Sequence, residues 1–93
     1  MASGWAIIGT GAFAGARIAP ALNKALGCRL VAVVSRERDR AEAFAQEHGA
    51  PRAYDDLHAA LRDPDVQCVW VATPHALHLE PVLAAAAAGK HVL

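Results

Sequence analysis

The chain has 93 residues, 55% hydrophobic and 19% charged, a composition that describes one soluble globular domain and excludes a disordered chain. Nine Lys and Arg balance nine Asp and Glu, which leaves no basic footprint for nucleic acid or an anionic membrane. Met1-Ala2-Ser3-Gly4 has no basic region and no apolar stretch reaches membrane-span length, so the expectation is a cytoplasmic protein.

The first predicted strand, Ala6–Ile8, is apolar throughout and stops at Gly9. The segment Gly9-Thr10-Gly11-Ala12-Phe13-Ala14 then reads as a glycine turn opening a helix. In that strand–turn–helix setting the pattern predicts dinucleotide binding. Gly9 makes the tight turn, Gly11 lets the backbone approach a pyrophosphate, and Ala14 packs helix against strand. The N–H groups of the helix start face the phosphates.

The helix is predicted from Ala12 to about Leu26, with Phe13, Ile18, Leu22 and Leu26 near one stripe and a kink or break at Pro20. Gly27 stops it. Arg29–Val34 reads as a second buried strand, and Glu37 to about His48 as an amphipathic helix ended by Gly49. Arg52–Tyr54 is a short third strand, and Asp55 is the expected N-cap of a helix through Leu57, Ala60 and Leu61. Asp63-Pro64-Asp65 makes a turn into a fourth strand, Val66–Ala72. Thr73-Pro74-His75 leads to a last helix over roughly Leu79–Ala88, and His91-Val92-Leu93 begins another strand.

Strands alternating with helices predict an α/β fold of the Rossmann type, a doubly wound parallel sheet of order 3-2-1-4-5. Its ligand crevice lies at the carboxyl ends of strands 1 and 4, where the order reverses. The glycine turn and the loop Thr73–His75 both fall at that edge.

The cofactor is read from the tip of the second strand. An NAD site places a carboxylate there, whereas this strand ends Val33-Val34-Ser35-Arg36. A small hydroxyl beside a guanidinium suits a 2′-phosphate, and Arg38 and Arg40 add positive charge within one turn. NADP(H) is therefore favoured over NAD(H), with Glu37 the competing ribose ligand. His75, His78 and His91 lack a carboxylate or thiol at suitable spacing, so no metal is expected. Cys28 and Cys68 stand alone and read as reduced thiols, Cys68 as a buried small hydrophobe. Trp5 and Trp70 read as core or covered surface.

Ile7-Ile8-Gly9-Thr10-Gly11, Val31-Ala32-Val33-Val34-Ser35-Arg36 with Arg40-Ala41, and Ala53-Tyr54-Asp55-Asp56-Leu57 form the first part of an ordered set. Asp63-Pro64-Asp65-Val66, Val69-Trp70-Val71-Ala72-Thr73-Pro74-His75, Leu77-His78 and Ala88-Gly89-Lys90-His91-Val92-Leu93 complete it. Together they resemble the N-terminal domain of the Gfo/Idh/MocA oxidoreductases. The resemblance implies NAD(P)-dependent hydride transfer on a sugar, polyol, diol or related carbonyl compound. It also implies that Ser35, Arg36 and Arg40 surround the adenosine 2′-phosphate, as in branches resembling dihydrodiol dehydrogenase and anhydrofructose reductase. Thr73, Pro74, His75 and His78 would line the nicotinamide side, where His75 or His78 is a candidate acid–base group for the complete enzyme.

The family follows Gly-Lys-His-Val-Leu with a Glu-Lys-Pro motif whose lysine takes part in catalysis, and then with a substrate domain. This sequence ends at Leu93, and Lys90 is not that lysine. The expectation is thus a cofactor-binding half, residues 1–93, not catalytically competent alone. The alternatives are a stand-alone nucleotide-binding or sensing module acting with a partner chain, and a non-functional remnant. Association through the exposed sheet edge, or through the face the second domain would cover, is expected as well.

Overall fold

Uninterrupted apolar runs become the central strands of a sheet covered on both faces. In the structure, a computed structural model that describes residues 3–9, 17–25, 27–72 and 79–92, strands and helices alternate along the chain. The elements are β1 (Ser3–Ile8), α1 (Ala19–Lys24), β2 (Cys28–Val34), α2 (Arg38–His48), β3 (Arg52–Tyr54), α3 (Leu57–Leu61), β4 (Cys68–Val71), α4 (Leu79–Ala87) and β5 (His91–Val92). The sheet is parallel throughout, in the order β3-β2-β1-β4-β5, as the alternation predicts.

One face of the sheet packs Ile7, Leu30 and Val33 against Ile18, Ala19 and Leu22 of the α1 region and Phe44 and Ala45 of α2. The other face packs Ala6, Ile8, Val31, Val34, Val69 and Val71 against Ala60 and Leu61 of α3 and Ala85 of α4. Ile7, Val31, Val33 and Val69 are all but closed to solvent. The register slips between Trp5 and Ala6, which pair with Leu30 and Ala32, so Val31 is an extra residue in β2. That bulge turns Val31 and Ala32 toward the same core, a departure from strict alternation.

Several boundaries differ from the sequence reading, each for a local reason. β1 begins at Ser3, because Ser3 and Gly4 pair with Cys28 and Arg29 and the strand is carried past the apolar run. β4 is shorter than expected, since Val66 donates its N–H to the Asp63 carbonyl and belongs to the turn before the strand. Pro20 lies in the first turn of α1, where the missing N–H costs little, rather than within a longer regular helix. A wider π-type turn at residues 17–18 runs directly into it. The start of the predicted helix, residues 12–16, and Leu26 lie outside the described residues.

The cap of α3 is Asp56, not Asp55. Asp56 has extended dihedrals (φ −129°, ψ 119°), and its carboxylate accepts the His58 N–H at 3.1 Å. Asp55 instead faces Arg38 at 3.6 Å. Cys68 is half-buried rather than fully buried, and burial pushes its thiol pKa up with a smaller contribution from Cys28. Trp5 and Trp70 are half-buried against the core shared with α1 and α2.

Candidate dinucleotide site

The carboxyl edge of the sheet is built by backbone hydrogen bonds that converge on the end of β1. The Gly9 N–H donates to the Val34 carbonyl at 2.9 Å, and the Ala72 N–H donates to the Ile8 carbonyl at 2.8 Å. The end of β1 is thus tied to β2 on one side and β4 on the other. From β1 the chain builds outward through β2 to β3, then returns to build outward through β4 to β5. The order thus reverses between β1 and β4, the position at which open parallel sheets of this kind bind ligands.

Gly9 has φ +110°, a conformation in which a side chain would be strained. Gly9 thus ends β1 at the carboxyl edge of the sheet in a conformation that glycine alone adopts cheaply. Thr10, Gly11, Ala12, Phe13 and Ala14, expected to continue that loop, lie outside the described residues. So do Thr73, Pro74, His75 and His78, which follow β4 in the chain after Ala72.

The tip of β2 and the start of α2 lie among the described residues. Ser35 donates its N–H to the Tyr54 carbonyl at 3.0 Å, so the β2 tip is braced by the end of β3. The Ser35 hydroxyl oxygen accepts the Glu37 N–H at 3.4 Å, an arrangement that bends the chain into α2. Arg36 and Arg40 are exposed and form no ion pair among the described residues. Arg38, counted with them from the sequence, is committed elsewhere: its Nε lies 3.2 Å from Glu42 Oε1 and its Nη1 3.6 Å from Asp55 Oδ1. Glu37 is the N-cap residue of α2, exposed and also unpaired among the described residues.

These features fit a dinucleotide. A positive-φ glycine ends the strand at the reversal of sheet order, and the guanidinium groups of Arg36 and Arg40, without carboxylate partners among the described residues, stand beside the neighbouring tip. Among the described residues no group of three or more His, Cys, Asp or Glu could hold a metal ion. Among the same residues no helix is long and apolar enough to cross a membrane.

The opposite, amino edge carries a polar cluster that the sequence reading passed over. Asp63, 8% exposed, accepts from Arg52 Nη1 at 3.0 and 2.9 Å, from the Tyr54 hydroxyl at 2.8 Å and from the Asp65 N–H at 2.9 Å. Arg52 Nη2 reaches Asp65 at 2.8 Å, and Lys90 Nζ donates to the Asp63 carbonyl at 3.3 Å. Burial alone would push the Asp63 carboxyl up, but its hydrogen bonds from Asp65, Tyr54 and Arg52 outweigh this and hold it below its ordinary value. Tyr54 is pushed the other way, by burial and then by its bond to the Asp63 carboxylate. The available signal was the spacing of Arg52 and Tyr54, which places both on one face of β3.

A family profile described as the oxidoreductase family with an NAD-binding Rossmann fold matches residues 3–93. An uncharacterized oxidoreductase, ORF334, of Rhizobium meliloti is 41% identical over 87 residues, 94% of this chain and 26% of that protein. The trans-1,2-dihydrobenzene-1,2-diol dehydrogenase of Oryctolagus cuniculus is 45% identical over 65 residues, 70% of this chain and 20% of the enzyme. The 1,5-anhydro-D-fructose reductase of Ensifer adhaerens is 37% identical over 89 residues, 96% of this chain and 26% of the enzyme.

Among solved structures, a 3-ketoreductase of Actinomadura kijaniata in complex with NADP superposes with a TM-score of 0.95 at 34% identity, covering 100% of this chain and 29% of that one. Myo-inositol dehydrogenase of Lactobacillus casei, in complex with NAD(H) and myo-inositol, gives a TM-score of 0.88 at 31% identity, covering 99% of this chain and 27% of that one. The chain spans about a fifth to a quarter of the length of the curated relatives it matches. The chain belongs to the Gfo/Idh/MocA oxidoreductase family, of which it represents the NAD(P)-binding Rossmann domain.

Proposed function

We propose that the chain binds NADP(H) as the cofactor half of an oxidoreductase acting on a sugar, polyol, diol or related carbonyl compound. Gly9 and residues 10–14 would take the pyrophosphate. Ser35, Arg36 and Arg40 would take the adenosine 2′-phosphate, and Thr73, Pro74, His75 and His78 would line the nicotinamide side. The bound cofactor supplies the hydride chemistry. This chain's own residues bind and orient it, and a substrate would be held by parts of the enzyme beyond this domain.

One observation carries the preference for NADP(H). The residue at the β2 tip is a serine, and the guanidinium groups of Arg36 and Arg40 have no carboxylate partner among the described residues. Such groups are available for paired hydrogen bonds to a dianionic phosphate. The named activities of the diol dehydrogenase, anhydrofructose reductase and 3-ketoreductase relatives support the substrate class.

The Glu37 carboxylate favours a second reading. It is exposed and unpaired among the described residues, two positions past Ser35, and a carboxylate near the β2 tip is the usual ligand of an unphosphorylated ribose. Titration of the protein with NADPH and with NADH, followed by melting temperature and nucleotide fluorescence, separates the two. Ligand bound by the native state raises the apparent stability by mass action. A larger response to NADPH supports the proposal, whereas an equal or larger response to NADH transfers the role to Glu37.

A further inference from the structure

We propose that Asp55 limits the affinity of this site for a 2′-phosphorylated cofactor by holding Arg38 in an ion pair; the inference rests on the cofactor reading above. The sequence puts guanidinium groups at positions 36, 38 and 40, all at the entry to α2. The fold withdraws the middle one. Arg38 Nη1 lies 3.6 Å from Asp55 Oδ1 and Nε lies 3.2 Å from Glu42 Oε1.

Asp55 is positioned for this by the sheet. It directly follows Tyr54, whose carbonyl accepts the Ser35 N–H at 3.0 Å, so the end of β3 brings a carboxylate beside the β2 tip. It has no part in capping α3, which Asp56 performs. The Arg38 and Asp55 side chains are 58% and 46% exposed. An ion pair at that exposure adds little to stability and exchanges readily, so its main effect is on where the Arg38 charge resides. Asp55 competes with a phosphate for Arg38. Arg36 and Arg40 have no such competitor among the described residues. Asp55 therefore acts through Arg38, as a positioning residue that sets how strongly the 2′-phosphate is preferred.

The test is a set of dissociation constants for NADPH and NADH in the wild type, Asp55→Asn, Asp55→Glu, Arg38→Ala and the double variant Arg38→Ala/Asp55→Asn. Asp55→Asn should tighten NADPH by about threefold to tenfold, the gain expected from one more charge-assisted contact, and leave NADH within about twofold. The salt dependence of NADPH binding should steepen at the same time. Asp55→Glu should behave as the wild type, and the gain should vanish in the Arg38→Ala background. An unchanged NADPH-to-NADH ratio in Asp55→Asn, or a gain that persists without Arg38, overturns the role of Asp55. A wild-type protein that binds NADPH no more tightly than NADH overturns the cofactor reading itself, a result visible before any variant is made.

Discussion

The Tyr54 hydroxyl donates to Asp63 Oδ2 at 2.8 Å, and the same carboxylate receives the Arg52 guanidinium through both oxygens. This contact joins the end of β3 to the turn that enters β4, two segments that share no ladder. Lys90, just before β5, adds a bond to the Asp63 carbonyl. Much of the amino edge of the sheet is thereby organised around one residue, Asp63.

Replacing Asp63 by Asn removes the charge that Arg52 and Tyr54 point toward, at a site nearly closed to water. Arg52 keeps Asp65 and remains partly exposed, so the loss falls short of that for a fully buried pair. Asp63→Asn should cost about 2 kcal/mol, or lower the melting temperature by about 10 °C. Urea denaturation of wild type and variant measures it. A difference below about 0.5 kcal/mol would make the cluster a surface decoration.

Acid should act through the same group. The Asp63 carboxyl titrates below its ordinary value of 3.8 in the folded protein. The unfolded chain therefore takes up the proton at higher pH than the native one. The contribution of Asp63 is present above the unfolded value and is lost as pH falls through the folded one. Unfolding free energies from about pH 6 down to about pH 3 should fall more steeply for the wild type than for Asp63→Asn. Parallel curves would assign acid sensitivity to other carboxylates.

Gly4 sets a different kind of limit. A Cβ at this position would collide with the Asp65 carbonyl oxygen and crowd the Val31 side chain. The close approach is fixed by hydrogen bonds: the Gly4 N–H donates to Gln67 Oε1 at 2.9 Å and the Gly4 carbonyl accepts the Gln67 N–H at 2.9 Å. Backbone cannot step aside as a flexible side chain can, so Gly4→Ala should destabilise the protein by about 2 kcal/mol or more. Thermal melts of the variant check this, and a melt like that of the wild type would show that β1 and the turn before β4 separate easily.

Arg36 and Arg40 are exposed and form no ion pair among the described residues, so their removal should leave stability within about 0.5 kcal/mol while weakening one ligand. Arg36→Ala/Arg40→Ala should raise the NADPH dissociation constant by about tenfold to a hundredfold and change that of NADH by less than about threefold. Equal losses for both nucleotides would mean that these arginines serve a part of the cofactor common to NADP and NAD.

The sequence by itself determined the order and type of the elements, because each apolar run and each amphipathic stretch carries its own periodicity and its own stop. Ile7-Ile8 before Gly9 and Leu30 to Val34 before Ser35 mark two central strands, and the alternation of strands with helices along the chain gives the parallel sheet and its order. The tertiary structure decided which charges are spent. From the sequence Arg38 adds positive charge beside Arg36 and Arg40, and Asp55 reads as the cap of α3. Folding alone brings Asp55 to Arg38 and leaves Asp56 to cap α3, since partners separated by most of α2 and β3 have no signature in local spacing. The Asp63 cluster was hidden for the same reason. An acidic residue before proline reads as a turn, and only the approach of Arg52 and Tyr54 from β3 makes it a buried, hydrogen-bonded carboxylate, with Lys90 bonding its carbonyl from before β5.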